Sequence, residues 1–177
     1  MFLADGFEEV EALCPLDLLR RAGLEVTTVG IGGKETVTGS HGIIVHTDIP
    51  DVMYRDSDPD MIILPGGMPG STNLDESRIV DTALKVASKK GAYLCAICAA
   101  PMVLGKRGYL EGKKAICYPG FEQYLNGAEI SGEAVVRDGN VITAKGMGVA
   151  LEFGLELVRA MKDSETADKI KASIFAK

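Results

Sequence analysis

Two short segments of this chain have no polar face, and they limit what it can fold into. Met61-Ile62-Ile63-Leu64 is apolar throughout and ends in Pro65-Gly66-Gly67. The run from Ala92 to Ile97 is of the same kind and passes directly into Cys98-Ala99-Ala100-Pro101. A strand with apolar side chains on both sides must be covered on both sides, which is the situation of parallel strands between helices. Helical patterns alternate with the strand patterns: Glu8 to Ala22, Arg78 to Lys90 with an apolar stripe at Ile79, Ala83, Val86 and Ala87, Ala99 to Leu104, Val149 to Met161 and Glu165 to Ile174. Further strands are expected at Val26 to Gly30 and Ala115 to Tyr118. Thr36 to Thr38 should pair with Ile43 to His46, and a hairpin should join Ala134 to Arg137 with Asn140 to Ala144 around Asp138-Gly139. The alternation predicts an α/β fold, a mostly parallel sheet with helices on both faces.

The amino-terminal region carries local signals. Asp5 and Glu8 have capping-box spacing before the first helix. Gly23 stops that helix behind Arg20 and Arg21, which suit the negative end of its dipole. Pro15 lies inside it and predicts a kink near Glu11. Only Met1 to Ala4 precede Asp5-Gly6, which is short for a central strand and is consistent with an alternative start site.

A chain of 177 residues suits a single domain over residues 1–177. No apolar run reaches membrane-spanning length, and no cationic start precedes an apolar run and a cleavage site; a cytoplasmic protein is expected. The net charge of −6, with lysine and arginine scattered among acids, argues against nucleic acid as a partner. The four cysteines, Cys14, Cys95, Cys98 and Cys117, read as free thiols rather than a disulfide framework.

In open α/β sheets the chemistry gathers beyond the carboxyl ends of the strands. Three loops fit: Asp5 to Glu11, Pro65 to Gly67, and Ala96 to Pro101. Cys98 falls where an apolar strand turns into a helix, so its sulfur should face unpaired helix N–H groups that lower its pKa. Gly66 and Gly67 allow backbone N–H groups to face a substrate oxygen. Glu8 and Glu9 need do no more than complement the helix dipole. Glu11 differs, because it is in register with Phe7, Cys14 and Leu18 on the apolar side. A carboxyl so placed tends to be protonated or strongly bonded, and beside a thiolate it could hydrogen-bond the sulfur and shuttle a proton. The Cys95-x-x-Cys98 spacing suggests neither a thioredoxin pair nor zinc, since Cys95 lies within the strand and no second pair or nearby histidine completes a metal site. Cys117 is either a resolving thiol or a core residue.

Together, Ala4-Asp5-Gly6-Phe7-Glu8-Glu9-Val10-Glu11, Pro15-Leu16-Asp17 with Arg20-Arg21-Ala22-Gly23, Leu64-Pro65-Gly66-Gly67 and Ala96-Ile97-Cys98-Ala99-Ala100-Pro101 resemble the ThiJ/PfpI superfamily. Within it the chain is most similar to the branch of the parkinsonism-associated protein deglycase and its bacterial relatives. The resemblance implies a flavodoxin-like three-layer sandwich of the class I glutamine amidotransferase type, and a homodimer. It implies Cys98 as the reactive cysteine, Glu11 as its carboxylic-acid partner, and an anion pocket formed by Gly67 and the Ala99 backbone. Activities attributed to this branch are cofactor-free glyoxalase, deglycation of methylglyoxal adducts and oxidative-stress chaperoning; bacterial members often carry a thiazole monophosphate biosynthesis label. Two positions depart from the pattern: Tyr118 stands where the branch commonly has histidine, and Ala99 where the protease branch has one. The only histidines, His41 and His46, precede Cys98, so a Cys–His–acid triad in the usual chain order cannot be built and peptidase or amidotransferase activity is not expected. His41 lies in a loop where relatives often carry arginine near the pocket; it could line the pocket or simply sit at the surface, as Tyr118 also could line it.

Two functions use the same pocket. One is a cofactor-independent, metal-free enzyme in which the Cys98 thiolate adds to a reactive aldehyde such as methylglyoxal, or to its protein adducts, while Glu11 moves a proton. The other is an oxidative-stress sensor or redox-regulated chaperone in which Cys98 is oxidised. A nucleotide-binding module is disfavoured by the lack of G-x-G-x-x-G or G-x-x-x-x-G-K-[ST] loops.

Overall fold

A computed structural model of the chain describes residues 1–55 and 58–176. In chain order it contains β1 (Phe2–Leu3), α1 (Glu9–Arg21), β2 (Val29–Gly30), β3 (Thr36–Thr38), β4 (Ile44–His46), β5 (Ile49–Pro50), β6 (Met61–Leu64), α2 (Gly70–Glu76), α3 (Arg78–Lys89), β7 (Tyr93–Ile97) and α4 (Pro101–Gly105). There follow β8 (Lys114–Ala115), β9 (Glu129–Ile130), β10 (Val135–Asp138), β11 (Val141–Ala144), α5 (Ala150–Met161) and α6 (Ser164–Ser173). Parallel ladders join the strands in the orders β5-β2-β1 and β6-β7-β11, and antiparallel β10 closes the second group. β1 lies alongside β6, which brings the two groups together as the middle layer.

The apolar strands alternate between two cores, as a period-2 element must. Ile62, Leu64, Leu94 and Ala96 pack with Leu74 of α2, Leu84 of α3 and Val103 of α4. Ile63, Cys95, Ile97 and Ile142 pack with Leu16 of α1, Phe153 of α5 and Ile170 of α6. The result is the expected flavodoxin-like three-layer sandwich. Gly154 of α5 fits closely against α1: a Cβ there would lie 2.5 Å from Leu18 Cδ1 and 3.0 Å from Pro15 Cα. That contact faces the same helix that carries Glu11.

Several expected boundaries move. Of Val26 to Gly30, only Val29–Gly30 joins the ladder, because Asp48 takes the Thr28 N–H at 2.7 Å. The strand expected at Ala115 to Tyr118 is reduced to Lys114–Ala115; beyond it, Ile116 N–H turns to Thr143 Oγ1 (3.0 Å) and Tyr118 N–H to the Cys98 carbonyl (2.8 Å). The helix after Cys98 starts at Pro101 rather than Ala99. In α3 the buried stripe is Val80, Ala83, Leu84 and Ala87, rotated from the expected one because Ile79 and Val86 are only partly covered. The β10–β11 turn centres on Gly139-Asn140, since Asp138 pairs with Val141. α1 continues through Pro15 as one helix.

Candidate active site

Glu8, not Asp5, caps α1. Its side chain accepts the Glu11 N–H at 2.8 Å, while Asp5 pairs with Lys34 and accepts the Thr38 N–H at 3.0 Å. The spacing was compatible with Asp5, but Asp5 is claimed by the β3 side of the sheet. The cap fixes the first turn of α1, and with it the direction of Glu11. That side chain is 1% exposed. Its Oε2 accepts the Gly66 N–H at 3.1 Å, and the Met147 N–H and the Cys98 side chain also bond its carboxyl.

Cys98 closes β7 with φ of 64°, a left-handed conformation that a residue other than glycine adopts at a cost of about 1–3 kcal/mol. The surroundings enforce it. Cys98 N–H donates to the Ala144 carbonyl of β11 (2.9 Å), and the Cys98 carbonyl accepts from Tyr118 N–H (2.8 Å). The residue is partly exposed, and its sulfur is directed at the Gly67 and Ala99 N–H groups and at Glu11. Gly67 holds a positive φ of 89°, which glycine adopts without strain. Gly66 has another role than the one expected of it. Its N–H is taken by Glu11, and a Cβ on it would lie 2.5 Å from Glu11 Oε2 and 2.6 Å from Cys98 Cβ.

Burial raises Glu11 to about 7, with the negative charge of Glu8 adding to the effect against the hydrogen bonds from Cys98, Gly66 and Met147. Ionising Cys98 beside an already charged Glu11 is pushed up to about 12, by burial first and then by the charge of Glu11 and the bond to it. This corrects the expectation of a lowered thiol pKa: the N–H donors of Gly67 and Ala99 are in place, but burial and Glu11 outweigh them. Two such acids behave as one unit. Between these limits the pair carries one negative charge and one proton along the Cys98–Glu11 hydrogen bond, and the thiolate arises when that proton lies on Glu11.

Tyr118 is half-exposed beside this pair. Its Cδ2 lies 3.4 Å from the point a Gly146 Cβ would occupy, and Glu11 Oε1 lies 3.9 Å from the same point. His41 is exposed, and its Nδ1 meets Glu9 Oε2 at 2.9 Å and Ser40 Oγ at 3.1 Å. Glu9 therefore does more than complement the dipole. It is buried and accepts the N–H groups of His41 (2.8 Å) and Ile43 (3.4 Å), tying the β3–β4 loop to α1. Burial works against its charge, yet His41 and these backbone donors bring it down to about 2. Among the described residues, Glu8, Glu9 and His41 bring candidate ligand atoms within 4.8 Å of one another, but Glu9 is already fully engaged. Cys95 and Cys117 are buried, and Cys14 is half-buried on α1. Gly146 and Met147 carry no recognisable motif, since they sit in a glycine-rich stretch that looks like an ordinary loop.

The sequence profile of the DJ-1/PfpI family matches residues 1–160. The chain belongs to the DJ-1/PfpI family. It is 36% identical over 177 residues to the protein dj-1beta of Drosophila melanogaster, covering 99% of this chain and 95% of that one. It is 33% identical over 167 residues to the glutathione-independent glyoxalase DJR-1.2 of Caenorhabditis elegans, covering 92% and 87%. Among solved structures, Toxoplasma gondii DJ-1 in an oxidized form superposes with a TM-score of 0.95 at 34% identity, covering 99% and 96%. A DJ-1 superfamily protein from Salmonella typhimurium, solved as a cysteine-to-alanine mutant, gives 0.94 at 31% identity over the same shares. No helix among the described residues is long and apolar enough to cross a membrane.

Proposed function

We propose that this DJ-1/PfpI member is a cofactor-independent glyoxalase, acting on methylglyoxal-type aldehydes and their protein adducts through Cys98 and Glu11. The observation that carries this reading is the pair itself: a strained thiol hydrogen-bonded to a buried carboxyl that Gly66 and Met147 hold in place. A relative named as a glutathione-independent glyoxalase supports the class of reaction.

The chemistry needs no external redox partner. The Cys98 sulfur bonds to the aldehyde carbon as its proton passes through Glu11 to the carbonyl oxygen, giving a hemithioacetal. Glu11 then removes the hydrogen on that carbon as a proton and returns it to the neighbouring carbon, while the hemithioacetal hydroxyl gives its proton to the neighbouring carbonyl oxygen, so that the first oxygen becomes the thioester carbonyl and the second a hydroxyl. The first carbon is oxidised, the second reduced, and the product is a 2-hydroxy thioester. Water cleaves the C–S bond to give the hydroxy acid and restore the thiol. The Gly67 and Ala99 N–H groups stabilise negative charge on sulfur. The reading includes a homodimer, for which exposed Val10, Ile43 and Ile44, on two elements that Glu9 joins, offer an apolar face.

Purified protein treated with a metal chelator and without glutathione is expected to convert methylglyoxal to lactate under steady-state conditions. Failure to produce lactate overturns the enzymatic reading. Oxidation of Cys98 is a second reading, favoured by its partial exposure, where Cys95 and Cys117 are buried, and by the Gly67 and Ala99 N–H groups that face its sulfur and that Cys14 lacks. Mild peroxide is then expected to add two oxygens at Cys98 first, as read by peptide mass spectrometry; earlier modification of Cys14 or Cys117 counts against it.

A further inference from the structure

Capping alone does not explain a glutamate at position 8. Helix caps favour serine, threonine, asparagine and aspartate, whose short side chains reach the N–H groups of the first turn. A neutral cap would serve α1 as well, so the charge of Glu8 is surplus to that task. Its Oε2 accepts the Glu11 N–H at 2.8 Å, and its Oε1 has no hydrogen-bond partner among the described residues.

The bonds around Glu8 close into a ring. Glu8 N–H donates to the Gly66 carbonyl at 2.9 Å, Gly66 N–H donates to Glu11 Oε2 at 3.1 Å, and Glu11 N–H returns to Glu8 Oε2. Gly67 packs so closely on the Glu8 backbone that it has no room for a Cβ. The ring holds the Glu8 carboxylate beside the carboxyl that bonds Cys98, and none of its bonds reaches Cys98 itself. The other titratable groups nearby come from several elements. Asp5, before the cap, pairs with Lys34. Buried Glu9 is bonded to His41 of the β3–β4 loop, whose ring also faces Glu8. α5 turns Glu152 toward Cys14, one turn further along α1. The segments after β6 and β11 offer Glu11 the N–H groups of Gly66 and Met147.

A negative charge beside Glu11 raises its affinity for a proton. Burial raises Glu11 most, and Glu8 is the next cause in the same direction. Cys98 is held protonated by burial and then by the charge of Glu11, so a proton kept on Glu11 removes the second of these. When the proton passes along the Cys98–Glu11 bond from sulfur to carboxylate, the negative charge passes from oxygen to sulfur and leaves the carboxyl that Glu8 faces. Deepening the reading of Cys98 and Glu11 as the reacting pair, and resting on it, we infer that Glu8 is a positioning residue for their shared proton: its carboxylate, held in the ring with Gly66 and Glu11, keeps that proton on Glu11 and the negative charge on the Cys98 sulfur. Glu8 acts through Glu11 and takes no proton itself.

Alkylation of Cys98 by iodoacetamide, in which sulfur bonds to carbon and iodide leaves, reads the thiolate without turnover. Rates are followed across pH by peptide mass spectrometry. In wild type the rate is expected to rise with one proton through about pH 7 to a plateau. Glu8→Gln keeps a capping oxygen and loses the charge. Its midpoint is expected about one pH unit lower and its plateau several-fold lower, because Glu11 gives its proton to solvent more readily and takes one from sulfur less readily. Glu8→Asp, which keeps charge and cap, is expected to retain the wild-type midpoint and plateau. Both displacements should recur in a His41→Asn background, which separates them from the titration of His41, itself raised by its bond to Glu9. In the same variants kcat/KM for methylglyoxal should follow the plateau. No turnover in any protein, with the alkylation profiles as described, overturns the proposed function and supports the role of Glu8. An unmoved midpoint in Glu8→Gln, a lowered midpoint without a lowered plateau, a Glu8→Asp protein that behaves as Glu8→Gln, or displacements that vanish without His41 overturns the inference.

Discussion

In the Cys98→Ala protein, kcat/KM for methylglyoxal is expected to fall by about 10³-fold or more, and in Glu11→Gln by about 10²–10³-fold, with the double variant little worse than Cys98→Ala alone. The non-additivity follows from the shared proton. Once the sulfur is gone, no hemithioacetal forms for Glu11 to act on. Once the carboxyl is gone, the half-buried thiol must lose its proton to solvent without a neighbouring acceptor. The pH dependence separates the two losses. Glu11, raised to about 7 chiefly by burial, releases the proton that makes the pair monoanionic. Wild-type kcat/KM is therefore expected to climb with a one-proton limb through about pH 7 and to level off above it. Glu11→Gln should lose that limb and gain activity only at higher pH. A Glu11→Gln protein with the wild-type profile would remove Glu11 from the mechanism.

The same shift has a consequence for stability. Glu11 titrates at about 7 in the folded protein, against an ordinary value of 4.5. Within that window the unfolded chain has released a proton that the native state still holds. Folding stability is thus greatest below the unfolded value and declines as pH rises through the folded one. Denaturant titrations across this range are expected to show the wild-type decline, on the order of 3 kcal/mol, flattened in Glu11→Gln.

Much of this arrangement can be read from local pattern. Apolar runs at Met61–Leu64 and Tyr93–Ile97 require cover on both faces, and the two cores provide it. Glu11 is recognisable because it falls in register with Phe7 and Leu18, so helical periodicity alone predicts its burial. Cys98 is recognisable because a strand ends on it. The departures come from long-range bonds that compete with local rules. Asp5 has the spacing of a cap but is claimed by Lys34 and Thr38. Glu9 has the position of a dipole charge but is buried by the β3–β4 loop folding over it. The thiol pKa follows burial and Glu11 more than the N–H donors that position alone suggests. Met147 and Gly146 belong to the site only because β11 delivers them beside α1, a contact between distant parts of the chain that periodicity does not encode.

Gly66→Ala is expected to be nearly as damaging to activity as loss of Glu11, although it removes no reacting atom. The added Cβ would lie 2.5 Å from Glu11 Oε2, 2.6 Å from Cys98 Cβ and 2.8 Å from the Ile97 carbonyl oxygen. The last belongs to the backbone of β7, where the ladder with β6 and β11 resists movement. The carboxyl and the thiol must give way instead, which separates the pair and strains the Gly66 N–H bond to Glu11. Overpacking of this kind costs about 1–3 kcal/mol of stability, and a displacement near 1 Å at reacting groups costs about 10² in rate. The protein should therefore fold, melt several degrees lower and lose about 10²-fold or more in kcat. The one-proton limb near pH 7 should move toward the ordinary carboxylate range as Glu11 is pushed into solvent. A Gly66→Ala protein with wild-type kcat and an unmoved limb would mean that the close fit of Gly66 between Cys98 and Glu11 is incidental to catalysis.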